Sequence, residues 1–386
     1  MSASPGDEKP TRGTHVQRKE NAMYGISEVV ARLERNDYSE HLSPSGYELD
    51  CSLGQNPYGA PPGLAVSSEL PTIVGSYPHS EAQVKQAIME RFGSMSPLEP
   101  PNIALTCGSM GALICLNRLF LKKGKRIIGV APQFTAIVDD FNVYEAEYRP
   151  VPLRADENYR FDADAFLAVL QEERDAFVYI DNPNNPTGQI IALEDIERIV
   201  AVARDRGSFV CVDEAYGDYM ANANSAIQIL EHYDNLCVTR TLSKGLGGAG
   251  LRMGYLMSGE RFVRIFEKVN IPFATTGLAN YLAPQLLRSG WEHHAVERSL
   301  ADKAELIGSL RHIKVGHTAM EVPIGMYYVD EDVDLEQAML RHGLRVVSCS
   351  GYVGLSRNAV RINLHKNFER MKELVLEVDR ELGGEG

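Results

Sequence analysis

The sequence predicts an α/β fold: a three-layer large domain with helices on both faces of a mostly parallel sheet, followed by a smaller α+β domain. Three observations predict it. Between about 102 and 258, short apolar strand-like runs alternate with runs of helical period, the pattern of a parallel sheet covered on both faces. Polar clusters close several of those runs: Cys107-Gly108-Ser109, Asp181-Asn182-Pro183-Asn184-Asn185, Asp213-Glu214 and Ser243-Lys244. Ligands of such sheets gather at the carboxyl ends of the strands, so all four clusters are expected around one crevice. From about Trp291 onward, helical runs are separated by strand-like Met326–Val329, Leu344–Val347 and Val360–Leu364, which gives the second unit.

Along the chain, residues 1–22 are polar, contain Pro and Gly and lack the apolar core of a signal peptide; they are expected to be a mobile tail. Residues 23–50 open with helical spacing over 24–36 and are expected to join the small domain. The large domain is placed at 51–288 and the small one at 289–386. Within the former, strands are expected at Ile103–Thr106, Arg126–Ala131, Ala176–Ile180, Phe209–Asp213, Leu236–Thr241 and Gly254–Met257. Helices are expected at Ser109–Leu121 and Leu193–Arg206, where apolar residues recur every three or four positions.

A chain of 386 residues buries a substantial core without staples. Its net charge of −13 argues against a nucleic-acid groove or an anionic membrane surface. Six cysteines without metal-site pairing read as free thiols of a cytoplasmic protein, and no metal is expected. No apolar run reaches membrane-spanning length.

The chemistry begins at Lys244, which ends a β-rich run and precedes a glycine-rich stretch with Arg252 eight residues on. An amine at a strand end, beside close-approach backbone and a fixed cation, suits a lysine that forms an imine with a phosphorylated aldehyde cofactor. Gly108-Ser109 between strand and helix suits a phosphate, although Ser109 also reads as an ordinary N-cap. Asp213 closes an apolar strand; it either meets a cation such as a pyridinium nitrogen or caps the next helix. Two prolines stiffen Asp181–Gly188, enough to hold the Asn185 amide in one place, where with Tyr216 it can donate to a phenolate oxygen. Phe134 either stacks on a flat ring or belongs to the core. Arg361, flanked by apolar residues, forks around a substrate carboxylate or an internal acid.

These pieces in this order resemble the fold-type-I pyridoxal-phosphate enzymes, within them the class I/II aminotransferases, and most nearly the histidinol-phosphate aminotransferase-like branch. The resemblance is carried by Asn56-Pro57-Tyr58-Gly59, Ser76-Tyr77-Pro78, Gly108-Ser109, Pro132-Gln133-Phe134, Asn182–Gly188, Asp213–Tyr216, Thr241–Lys244 through Tyr255, and Val360-Arg361-Ile362. It implies pyridoxal 5′-phosphate as cofactor, with Lys244 as Schiff-base lysine and proton shuttle. It implies that Asp213 pairs with the ring nitrogen, Asn185 and Tyr216 with the ring oxygen, and that Phe134 stacks. It assigns the phosphate to Gly108, Ser109, Ser243 and Arg252, with Thr241 close by, and to Tyr77 reaching from a neighbouring subunit of a homodimer, and counts Met110 among the cofactor contacts. Tyr24, Asn56, Arg345 and Arg361 are the implied substrate contacts.

The chain departs from the branch in places. A second arginine is usual about fourteen residues before the last; here that position is Val347, with Arg345 two residues earlier on the same face if the strand is regular. Gln55 stands where a glutamate is common, and Met110-Gly111 replaces an acidic pair. The expectation is an aminotransferase acting on an amino acid or a derivative, with a keto acid co-substrate, in a biosynthetic pathway. The alternative on the same pocket is a decarboxylase, an eliminating or replacing enzyme, or a carbon–carbon bond-forming synthase. A ligand-sensing regulator is disfavoured by the intact Lys244–Asp213 pair, and a nucleotide-dependent oxidoreductase by the absence of a strand-turn-helix G-x-G-x-x-G with its accompanying acid.

Overall fold

Alternation within each strand sets the layers. In Phe177–Asp181, Val178 and Ile180 enter one core with Val210, Val212 and Val238. Phe177 and Tyr179 enter another with Cys211, Cys237 and Leu256. A strand whose side chains are buried on both faces is a central strand of a covered sheet. The computed structural model describes residues 27–33, 46–65, 68, 70–78 and 80–384.

The large sheet has seven strands. After β1 (Leu49–Asp50), they are β2 (Ile103–Thr106), β3 (Arg126–Ala131), β4 (Glu147–Pro152), β5 (Phe177–Asp181), β6 (Phe209–Asp213), β7 (Leu236–Thr241) and β8 (Gly254–Ser258). Their spatial order is β2-β8-β7-β6-β5-β3-β4. All neighbours are parallel except β8, which runs antiparallel to both β2 and β7. The edge strand β4 has no counterpart in the sequence expectations. Its Pro150 and Pro152 remove ladder donors and spoil a strand-like pattern, which an edge strand tolerates.

The helices differ from expectation only at their ends: Gly108–Phe120 and Leu193–Asp205. The latter buries Ile196, Ile199, Val200 and Ala203, a single stripe at helical spacing. The N-terminal helix is described over Glu28–Arg32 and stops there, because Leu33 is extended. The remainder of the helix expected at 24–36 and the tail at 1–22 lie outside the described residues.

The smaller sheet holds β9 (Lys314–Val315), β10 (Ile324–Tyr328), β12 (Val347–Ser348) and β13 (Ala359–Asn363), in the order β12-β13-β10-β9, all antiparallel. The single strand expected over 344–347 is two. Leu344–Arg345 (β11) pairs in parallel with β1, whereas β12 pairs with β13. Val346 at the break is buried in the small-domain core. The long helix Trp291–Ser309 leads from the large sheet into this unit. No helix among the described residues is long and apolar enough to cross a membrane.

Candidate active site

Parity places the acid. Asp213 ends β6 opposite Asp181 on one side and Thr239 on the other. Tyr179, two residues before Asp181, shares their face. The Thr239 hydroxyl therefore donates to Asp213 Oδ1 at 2.8 Å and the Tyr179 phenol to Oδ2 at 3.1 Å. Burial raises the Asp213 pKa to about 6, the two hydroxyls offsetting part of that rise. Burial also pushes Tyr179 well above its usual range, so its OH remains a donor.

Lys244 follows β7 into the same cavity, of about 280 Å³, lined among others by Asp213, Tyr216, Ser109, Phe134 and Asn185. Burial lowers its pKa to about 7, helped by the positive charges of Arg361 and Arg252 and opposed by Asp213. Its Nζ lies 5.1 Å from the centroid of the Tyr216 ring. A carboxyl raised to about 6 and an amine lowered to about 7 in one cleft mark a site built to exchange protons near neutrality.

An anion cradle borders the lysine. Gly108 and Ser109 open the helix Gly108–Phe120, whose first backbone N–H groups are unsatisfied by the helix itself. Gly254 makes this approach possible: a Cβ there would stand 2.4 Å from the Gly108 carbonyl carbon and 2.5 Å from the Ser109 nitrogen. Arg252 donates to the Ser243 hydroxyl at 3.2 Å and to the Ala249 carbonyl at 2.9 Å, and Thr241 Oγ1 donates to Ser243 Oγ at 3.0 Å.

The opposite wall is fastened by Asp181. Its carboxylate accepts the Asn185 backbone N–H at 2.9 Å, the Asn184 amide at 3.0 Å and the Phe134 N–H at 3.3 Å. The Asn185 side-chain oxygen accepts from Arg361 Nη1 and from the Tyr352 hydroxyl, each at 3.1 Å. Arg361 Nη2 donates to the Ser52 carbonyl, while its buried Nε has no partner. Thus the small domain, through β13, delivers a cation to the edge of a cavity made by the large one.

A model of the family "Aminotransferase class I and II" matches residues 71–377. The histidinol-phosphate aminotransferase of Thermoanaerobacter pseudethanolicus is 30% identical over 338 residues, covering 85% of this chain and 91% of that protein. The chain belongs to the class I and II aminotransferases. The fold agrees with solved structures. A Thermus thermophilus aspartate aminotransferase double mutant superposes with TM-score 0.77 at 17% identity, covering 93% of this chain and 100% of that one. The Sinorhizobium meliloti histidinol-phosphate aminotransferase, solved with pyridoxal-5′-phosphate, gives 0.71 at 22%, covering 87% and 92%.

The enzyme is a pyridoxal-5′-phosphate-dependent aminotransferase. The residues present fit that cofactor: a buried amine near neutrality, a carboxylate gripped by two hydroxyls, a helix N-terminus beside an arginine, and the flat face of Phe134.

Of the residues singled out from sequence, Ser109, Met110, Phe134, Asn185, Asp213, Tyr216, Thr241, Ser243, Lys244 and Arg252 line this aminotransferase's cavity, with Gly108 against Arg252. Others lie elsewhere. Asn56 is a strut, donating to the Gly245 carbonyl at 2.8 Å behind the lysine. Tyr77 is outside the cavity, packed against Phe273 with ring centroids 4.7 Å apart and the rings tilted by 30°. Arg345 does not line it either. It sits opposite Asp50 on β1, 3.8 Å from that carboxylate and over the Tyr47 ring, because the strand breaks before Val347. Val347 is the residue that faces Arg361 across the ladder. Tyr24 lies outside the described residues. Sequence reasoning missed Tyr179, Thr239, Gly54 and Tyr352. Thr239 and Tyr179 stand on the strands either side of Asp213, so register between strands, which is not local, is what brings them to it, and nothing local marked the other two.

Proposed function

We propose that this aminotransferase takes the amino group from an amino acid with a free α-carboxylate, passes it to a keto acid, and works as a cytoplasmic homodimer. The observation that carries the substrate reading is Arg361: buried, beside Asn185, with an unpartnered Nε and no ion pair to a described acid. A guanidinium placed so suits a bidentate carboxylate.

Pyridoxal 5′-phosphate, when bound, supplies an aldehyde carbon for the amino group and a ring that draws off the electrons left as the substrate Cα loses its proton. The protein's own groups do the rest. Lys244 Nζ, whose pKa burial lowers to about 7, is the base for that proton and returns it to the acceptor carbon. Asp213, ionised above about pH 6, sets a negative charge against the ring nitrogen. Tyr216 and the Asn185 Nδ2 serve the ring oxygen, Phe134 the ring face. Ser109, Ser243, Thr241 and Arg252 hold the phosphate. Arg361, by gripping the carboxylate, turns the Cα–H bond toward Lys244.

The dimer reading is supported by the exposed apolar side chains of Val74, Tyr77 and Phe273 around a surface concavity of about 530 Å³. Tyr77 would reach the phosphate site of the second copy. The cytoplasmic reading is supported by six free thiols.

The test is mass spectrometry of products from a panel of amino acids, with histidinol phosphate included, each with and without a keto acid acceptor. Keto acid formation from carboxylate donors, lost in Lys244→Ala, is expected. Turnover of histidinol phosphate alone, which has no carboxylate, would overturn the role given to Arg361, and acceptor-independent loss of CO2 would overturn transamination.

A further inference from the structure

Asn185 is useful to the ring oxygen only with one amide face turned to the cavity. An amide has two nearly isosteric ends, one accepting and one donating. The stiff loop fixes the backbone, since the Asn185 N–H is held by Asp181 at 2.9 Å, but it does not choose between those ends. The choice is made by two donors on the small domain. Arg361 Nη1 and Tyr352 Oη both lie 3.1 Å from Oδ1, so the oxygen points at β13 and Nδ2 is left for the cavity that Asn185 lines.

The two donors are not equivalent. In the function proposed above, Arg361 must also serve a carboxylate, and its guanidinium has a fixed number of forked N–H groups to share. Tyr352 is given no contact with the substrate carboxylate. It is 4% exposed and leaves the turn Cys349–Gly351, where its N–H is tied to the Cys349 carbonyl at 2.9 Å. It packs with Met326, Cys349 and Ala359, so its phenol is aimed by the small-domain core. Its hydroxyl also contacts Arg361.

We propose that Tyr352 is a positioning residue that keeps the Asn185 amide oriented toward the cofactor when Arg361 turns to the substrate carboxylate. The inference rests on the roles given above to Lys244, Asn185 and Arg361. It makes the small domain a sensor of its own seating: when it moves away, Asn185 loses both donors at once and the ring oxygen loses its partner.

The experiment is a double-mutant cycle on the holoenzyme, read by the pH midpoint of its visible absorbance and by the cofactor dissociation constant of the apoenzyme. Tyr352→Phe keeps the ring and its packing and removes only the hydroxyl. It is expected to raise the absorbance midpoint by about half a pH unit, because a donor to the ring oxygen favours the deprotonated form of the lysine linkage. It should also weaken cofactor binding and raise KM for the amino acid about fivefold, with kcat changed less. Asn185→Ala should raise the midpoint further, and adding Tyr352→Phe to it should change the midpoint no more. Equal shifts in both backgrounds, or none in either, would overturn the proposal while leaving the catalytic reading intact. A wild-type protein that takes up no pyridoxal phosphate, or whose visible band survives Lys244→Ala, would overturn both.

Discussion

Gly54 and Tyr216 are locked together: the phenol donates to the Gly54 carbonyl at 3.2 Å, and a Cβ on Gly54 would stand 2.1 Å from that same oxygen. The same Cβ would be 3.3 Å from Lys244 Nζ. The backbone of 53–55 is thus one wall of the cavity, and only a residue without a side chain lets the phenol and the amine both face inward. Gly54→Ala is expected to push Tyr216 off its place and cut kcat/KM about tenfold or more, with a stability cost of about 1–3 kcal/mol. Steady-state kinetics and urea melts of the variant check this; wild-type kinetics would mean that the wall yields freely.

Lys244 should behave as an amine that is half neutral near pH 7. Its ordinary value is 10.5 and burial brings it to about 7. The folded protein therefore releases this proton before the unfolded chain does. Its destabilising effect is complete below about pH 7 and fades as pH climbs toward 10.5. Uptake of pyridoxal phosphate by the apoenzyme should accelerate with a midpoint near 7 and be lost in Lys244→Ala. A midpoint near that of free lysine would refute the buried, neutral amine.

Asp213 carries the opposite sign. Burial raises it from 3.8 to about 6, so the unfolded chain loses this proton first. The empty protein is spared any cost below about 3.8, loses stability as pH rises to about 6, and bears the whole cost above that. Asp213→Asn is expected to raise the melting temperature of the apoenzyme at pH 8 but not at pH 4. It should lower kcat by about a hundredfold or more, since an amide cannot set a charge against the ring. Calorimetry at the two pH values decides the first point and kinetics the second.

Lys303 has no place in the chemistry and holds the frame around it. It is fully buried, and its Nζ lies within hydrogen-bond distance of Thr318 Oγ1 at 2.5 Å and of the carbonyls of Ala319, Val322 and Ile324 at 2.8, 2.9 and 2.7 Å, sharing three N–H groups among the four oxygens. Ala319 in turn donates its N–H to the Gly188 carbonyl at 3.1 Å, at the exit of the Asn185 loop. Lys303→Met strips four oxygens of their shared donor and should cost about 3–5 kcal/mol in chemical denaturation. A cost below 1 kcal/mol would show that water replaces the ammonium.

How much of this was legible beforehand varies residue by residue. The six strands expected in the large domain are there because a largely apolar run of four to six residues between polar strand ends has few alternatives in a protein this size. Lys244 and Asp213 were singled out because each closes a strand-like run, and Asn185 because two prolines stiffen the loop that carries it. The edge strand β4 was not found, since two prolines and a mixed face erase the signal. Arg345 was placed on the face of Arg361 by assuming a regular strand; a break at Val346 gave it to Asp50 instead.

The chain's own order of residues determined that this is a covered, mostly parallel sheet with an amine, an acid and an amide near the strand ends, because alternation and helical period are local properties of a few consecutive residues. Tertiary structure alone decided which groups hold them: Tyr179 and Thr239 on Asp213, Gly54 under Tyr216, and Tyr352 with Arg361 on Asn185. Those pairs are 26 to 176 residues apart. Their contact depends on strand register and on how the two domains seat against each other, which no local pattern encodes.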